Sequence, residues 1–420
     1  AHDLPPIMRS RFRLSVIVVT AVLAVAAPVS AAWLASGSGT GTGRATAVST
    51  AAAPTASAAG RTVTLSWTAT TLATGAPVTG YRVTRVNTVT AATTSATGGC
   101  AGTVAATSCV ETLLPTGRWA YRLEAVRGAW IGPMGAHGNT VAVDATAPTS
   151  SAAVLQKTTG GATGAIRQGG TYRVYATVAD TGDPATGVAS VTANVSALTT
   201  GSTAVALTAG SFTVGGVVYG YQSAQLTATN PQAAGTKTWT VTATDGAGNA
   251  ATSSAFPVTV DNTKPAGADV QALNGGAIPG RAETGDLVQL TYTEAIDPHS
   301  VLAGWTGAAT TVTVRLTNNG GAAGDRIQIW NAANSTQLPL GTVSLTNTGY
   351  VTTSRNFTGS TMELVGSVVV VTLGTPSGAT LTVATPTNAT WAPSATVFDP
   401  AGNTASTTSV TETGAADVQF

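Results

Sequence analysis

At 420 residues, the chain is long enough for two to four domains of roughly 100–200 residues each. Only 9 % of its residues are charged and its net charge is +1, so it has no broad cationic surface, which excludes a general nucleic-acid binder. Hydrophobic side chains make up 43 %, and Gly, Ala, Thr and Val dominate; that charge-poor, β-branched balance predicts an all-β protein with a surface of Thr and Ser.

The first segment reads as targeting. Arg9, Arg11 and Arg13 follow Met8, and an apolar run extends from Leu14 to Ala27. Pro28 ends that run, and Val29-Ser30-Ala31 places small residues before a cleavage point, so residues 1–31 are predicted as upstream residues plus a secretory signal peptide. The rival is an uncleaved anchor over Leu14–Ala35, in which case this segment alone would contact membrane. The following AAWLASGSGTGTGRATA resembles the region after SipW-dependent signals of Gram-positive surface and matrix proteins. Residues 32–60, rich in Gly, Ser, Thr and Ala, are predicted as a flexible linker.

Two proline joints then divide the chain. Asp144-Ala-Thr-Ala-Pro148 and Asp261-Asn-Thr-Lys-Pro265 each follow an alternating apolar run, and proline fixes φ and cannot continue a central strand. The predicted modules are 61–146, 147–262 and 263–420, sizes that suit β-sandwiches. In the first, Val63, Leu65 and Trp67 alternate, as do Tyr121, Leu123 and Ala125; one face of each strand is therefore buried. Cys100 and Cys109 are the only cysteines, and in an oxidising compartment they are expected to pair. The early Trp67, the following Tyr81 and the Pro115, Gly117, Tyr121 approach to a late strand resemble the fibronectin type III pattern.

In the second module Tyr172, Val174, Ala176 and Val178 alternate, as do Trp239, Val241 and Ala243. Its Gly187-Val-Ala-Ser-Val run, followed later by Asp-Gly-Ala-Gly-Asn, resembles bacterial immunoglobulin-like domains. The third carries Val288, Leu290 and Tyr292 before Glu294-Ala-Ile-Asp-Pro298, a stretch similar to immunoglobulin-like repeats of surface-layer proteins. As a whole the chain resembles secreted actinobacterial proteins built from fibronectin type III-like and bacterial Ig-like domains. That resemblance implies tandem Ig-like and fibronectin type III-like β-sandwiches and a place in the Gram-positive cell envelope.

The pentapeptide Asp-x-Ala-Gly-Asn occurs twice, at Asp245–Asn249 and Asp399–Asn403. Gly246 in one copy is Pro400 in the other, so that position needs no positive φ, whereas Gly248 and Gly402 do. Asp245 and Asp399 are expected to accept backbone N–H bonds, and Asn249 and Asn403 to tolerate the left-handed region, in a short hairpin loop.

Catalytic constellations are missing. The histidines are His2, His137 and His299, none in a triad context, and no G-x-S-x-G elbow occurs. Glu294 and Asp297 lie too close on one segment for opposed glycosidase carboxylates. No dense calcium loop is present and no metal or other cofactor is expected. The strand-end acids nearest to calcium chemistry are Asp180, Asp183 and Asp297, followed by Asp245, Asp261 and Asp399. Trp130, Trp305, Trp330 and Trp391 are candidates to meet a sugar face, the glycine-flanked Trp130 and Trp305 being expected on loops; the competing reading is that all four are core or edge packing, since large aromatics dominate cores. The expectation is an exported, non-catalytic protein of adhesion, spacing or assembly, with an envelope protein or glycan as partner. A carbohydrate-binding accessory module is the alternative.

Overall fold

The computed structural model describes residues 46–321 and 323–420. The chain divides into Ala1–Thr46 and Ala47–Phe420, and the description below concerns the second unit. The expected signal peptide, the anchor alternative and residues 32–45 of the expected linker lie outside the described residues. Among those described, the only helical elements are Pro298–Val301 and a 3-10 turn at Gly98–Cys100; everything else regular is β. No described helix is long and apolar enough to cross a membrane. The protein is an all-β array of sandwiches, with three separate main cores that follow the alternation in the sequence.

The first sandwich faces a three-stranded sheet (Thr55–Ala59, Thr62–Ser66, Ser108–Glu111) against a second one centred on Gly80–Asn87 and Gly117–Arg127. Val63 and Leu65 of one sheet and Tyr121 and Leu123 of the other are all fully buried between them. Trp67 packs edge-on against Tyr81 with ring centroids 5.3 Å apart, and the Tyr81 hydroxyl accepts from the Thr70 N–H. Cys100 and Cys109 form a disulfide in the same core.

The expected linker is corrected for residues 47–60. Val48, Ala51 and Ala56 are buried in the first core, and Thr55–Ala59 is a paired strand. The cause is a glycine register far along the chain. Gly132, Gly135 and Gly138 donate their N–H groups to Ala125, Leu123 and Tyr121, alternate residues of Gly117–Arg127. A Cβ on Gly135 would lie 2.6 Å from the Ala51 carbonyl, so only glycine lets residues 48–54 lie against this segment. Small, polar-looking residues 47–60 thus gain a core by docking, which their composition does not reveal.

The first core also holds a charge that alternation hides. Glu111 is fully buried and accepts from Arg85, from both the N–H and the hydroxyl of Thr97, and from the Tyr121 hydroxyl. Burial and the bond to Glu111 push the Tyr121 phenol well above its ordinary range.

In the second sandwich the long strand Gly235–Asp245 passes between sheets. Its first half pairs with Phe256–Val260 and its second half with Val188–Asn194. Trp239, Val241 and Ala243 point inward along its length. The third sandwich runs in hydrogen-bonded order from Gly267–Leu273 through Leu287–Tyr292, Val368–Thr372 and Arg355–Val365 to Thr310–Thr317, and on to Thr390–Ala392 and Val410–Thr411. Tyr292 and Trp391 meet edge-on at 4.9 Å in its core.

Candidate functional site

The residues with chemical potential gather at the two joints between sandwiches. The pentapeptide at Asp245–Asn249 closes the hairpin between Gly235–Asp245 and Ala250–Thr252. Asp245 Oδ1 accepts from the N–H groups of Ala247 and Asn249 at 2.9 and 2.7 Å, and Gly248 has φ +87°. The second copy repeats this: Asp399 Oδ1 accepts from the Asn403 N–H at 2.8 Å, and Gly402 has φ +93°. Asn249 and Asn403 are absent from the left-handed region, a correction to the sequence reading. Each instead spends its side-chain amide on two acceptors. Asn249 Nδ2 donates to Asp245 Oδ2 and to the carbonyl of Asp144, 105 residues earlier; Asn403 Nδ2 donates to Asp399 Oδ2 and to the carbonyl of Asp261, 142 residues earlier. The turn of each module therefore clamps the linker by which the chain enters that module.

Two carboxylate triplets sit on these clamps. Asp144, Asp180 and Asp245 bring carboxylate oxygens within 4.8 Å of one another at the first joint, and Asp261, Glu294 and Asp399 do so at the second. Three hard oxygen donors so placed are the residues that could hold a divalent cation. Their hydrogen bonding differs. At the first joint, Asp144 accepts from Thr146 and Thr186, and Asp180 from Gly182 and Gly187. Burial would raise the Asp144 pKa, but those bonds outweigh it and hold the carboxyl below its ordinary value. At the second, Glu294 Oε1 is enclosed without a hydrogen-bond partner. Burial first, then the neighbouring Asp261 and Asp399, raise the Glu294 pKa. Burial likewise raises that of Asp399.

Of the three residues nearest calcium chemistry in the sequence, Asp180 joins a triplet, while Asp183 and Asp297 do not. Both of the latter are engaged with cations of the preceding module. Asp183 is 87 % exposed at its side chain and meets Arg118 at 3.5 Å. Asp297 is buried and meets Lys157 at 2.5 Å, the two side chains being 2 % and 3 % exposed. Asp144 and Glu294 were missed as triplet members, and a signal for them existed. Asp180-Thr-Gly-Asp-Pro184 and Glu294-Ala-Ile-Asp-Pro298 are both acid-x-x-Asp-Pro, each placed just after a core strand. Linker Asp, acid-x-x-Asp-Pro and Asp-x-Ala-Gly-Asn thus recur in the same order in both modules.

The glycine-flanked tryptophans part company. Trp130 is 60 % exposed on the short strand Trp130–Ile131, beside Ile131 at 43 %. Trp305 lies on the expected loop, between Pro298–Val301 and Thr310–Thr317, but is 7 % exposed in the third core, as the packing reading has it, and its indole donates to the Ala308 carbonyl. Trp391 is fully buried, and Trp330 lies under the Arg315 guanidinium at 3.3 Å. His137 is exposed, and half-buried His299 accepts from the Gly304 N–H through Nδ1. Glu294 lies in the second triplet and Asp297 is paired with Lys157. A cleft of about 590 Å³ beside the Lys157–Asp297 pair is lined by Gln156, Gly161, Thr163, His299 and Trp305 among others.

The sequence matches no protein-family model and no curated protein. Among solved structures, the crystal structure of chicken CNTN1 FN1–FN3 domains aligns with 80 % of this chain and 98 % of that chain, at 9 % identity and a TM-score of 0.27. The fold class therefore rests on the strand pairing and the cores themselves: all-β, with tandem β-sandwiches.

Proposed function

We propose that this is an exported, non-catalytic protein of the cell surface or extracellular matrix, whose sandwiches set spacing for adhesion or assembly. One observation carries the reading: the same three sequence positions build both joints, so module-to-module attachment is a specified feature. The disulfide agrees with an oxidising compartment. The histidines of the described sandwiches are an exposed loop residue and an imidazole bonded to a main-chain N–H. A Gram-positive, actinobacterial envelope and an envelope protein or glycan as partner complete the proposal. Its test is brief protease treatment of intact cells, which should release fragments of the sandwiches while cytosolic markers stay whole. Retention of all the protein inside the cell, or turnover of a polysaccharide or peptide by the purified chain, would overturn it.

The second reading, a carbohydrate-binding accessory module, is favoured by Trp130 and Ile131, an exposed aromatic and its apolar neighbour at a hairpin tip. A glycan array compares the native chain with Trp130→Ala. Hits that vanish in the variant support this reading, and an array without hits discards it.

A further inference from the structure

The two joints use matching sequence positions but are fastened very differently. At the second, Lys157 Nζ, in the module before the joint, donates to Asp297 Oδ2 at 2.5 Å, to the Pro400 carbonyl at 3.0 Å and to the Ala162 carbonyl at 3.2 Å. Those three acceptors match the three protons of an ammonium. Asp297 is held in turn by the N–H groups of Ala162 and His299, and the Phe398 ring lies 5.3 Å from Nζ. The Arg167 N–H also crosses the joint to the Ala401 carbonyl at 2.9 Å. Gly161 is required for this approach, since its Cβ would collide with the Asp297 carboxylate.

At the first joint the position matching Asp297 is Asp183, and its partner Arg118 is half-exposed. Among the described residues, that contact at 3.5 Å is the only direct hydrogen bond from residues 46–143 to residues 147–262. The other hydrogen bonds there run through the linker: Thr116 holds Ala145 and Thr146 from one side, and Asn249 and Thr186 hold Asp144 from the other, while Gly60 of the first sandwich only packs on the Ala247 carbonyl. A pinned linker with a single exposed hydrogen bond directly between the bodies it joins resists rotation less than a buried pair with main-chain bonds around it.

We infer that the chain has one hinge, at residues 144–148, and that the second and third sandwiches move as a single rigid body closed by Lys157 and Asp297. This rests on the spacer reading and refines it: the first sandwich swivels, and the other two set a constant distance. Spin labels on exposed Thr64, Thr208 and Thr361, introduced in pairs into the full chain as cysteines, test it through pulsed-dipolar distance distributions. The Thr64–Thr208 distribution is expected to be at least about twice as wide as the Thr208–Thr361 one. Lys157→Ala should widen the second distribution and leave the first alone, and Arg118→Ala should change neither. Equal widths in the native chain would overturn the hinge while leaving the surface-spacer reading to its own protease test. That native comparison requires neither joint variant to fold. An unaltered second distribution in a folded Lys157→Ala chain would likewise remove the assignment to this pair.

Discussion

Lys157→Met offers the sharpest energetic test of the second joint. The substitution keeps an apolar stem of similar length but removes the ammonium, leaving the Asp297 carboxylate with two N–H donors and no counter-charge. The carbonyls of Ala162 and Pro400 lose a donor at the same time. Because the paired side chains are 3 % and 2 % exposed, solvent does not replace what is lost. Breaking such a pair from one side costs about 3–5 kcal/mol, and the two surviving donors to Asp297 place the expectation near the lower end. Replacing both partners, Lys157→Met with Asp297→Leu, should recover only part of the loss: the unpaired charge is gone, but the N–H groups of Ala162 and His299 and the carbonyls of Ala162 and Pro400 lose these partners. Arg118→Ala serves as the control at the first joint. Its half-exposed pair predicts about 0–1 kcal/mol. Urea unfolding at pH 7, followed by tryptophan fluorescence, reads all three, with Trp239 reporting the second core and Trp391 the third. The two should unfold in one transition in the native chain and separate in Lys157→Met. A loss below about 1 kcal/mol, or one that disappears in 1 M salt as a screened surface pair would, refutes the reasoning.

Three further outcomes follow from the same physics. Glu111→Ala should destabilise the first sandwich by about 3–5 kcal/mol in thermal or urea unfolding, because Arg85, Thr97 and Tyr121 all lose a buried acceptor; a loss under about 1 kcal/mol would show that the site relaxes to water. Asn403→Ala should cost about 1–2 kcal/mol by freeing the Asp261 carbonyl and an Asp399 oxygen. Asn403→Asp should cost more by adding a negative charge beside Asp399, and the reverse order in melting temperature would contradict the clamp. Glu412 is buried, and that burial raises its pKa above the ordinary 4.5. A carboxyl whose folded pKa is raised costs stability while ionised, fully so above the folded pKa and not at all below the unfolded one. Glu412→Gln should therefore melt higher than the native chain at pH 7, with the gap closing as the pH falls towards 4.5; a gap independent of pH would refute this sign.

Several features were legible in the linear chain because they depend on near neighbours. Alternation at Val63, Leu65 and Trp67, or at Trp239, Val241 and Ala243, needs only the two-residue period of a strand to tell which face is buried. With no other cysteine to choose, Cys100 and Cys109 had one pairing. The positive φ of Gly248 and Gly402 was readable because Pro400 forbids it two residues earlier in the second copy.

What only the tertiary structure decided concerns partners far apart in sequence. Asn249 and Asn403 looked like residues tolerant of a left-handed turn, yet their amides reach linkers 105 and 142 residues away. Residues 47–60 had a linker's composition and became part of a core, because three distant glycines leave room for them. Asp183 and Asp297 occupy the same place in one motif, and one remains in solvent while the other is buried against Lys157, 140 residues earlier. Nothing local distinguishes those two aspartates. Desolvation and the supply of surrounding donors set their states, and both are properties of the packed joint.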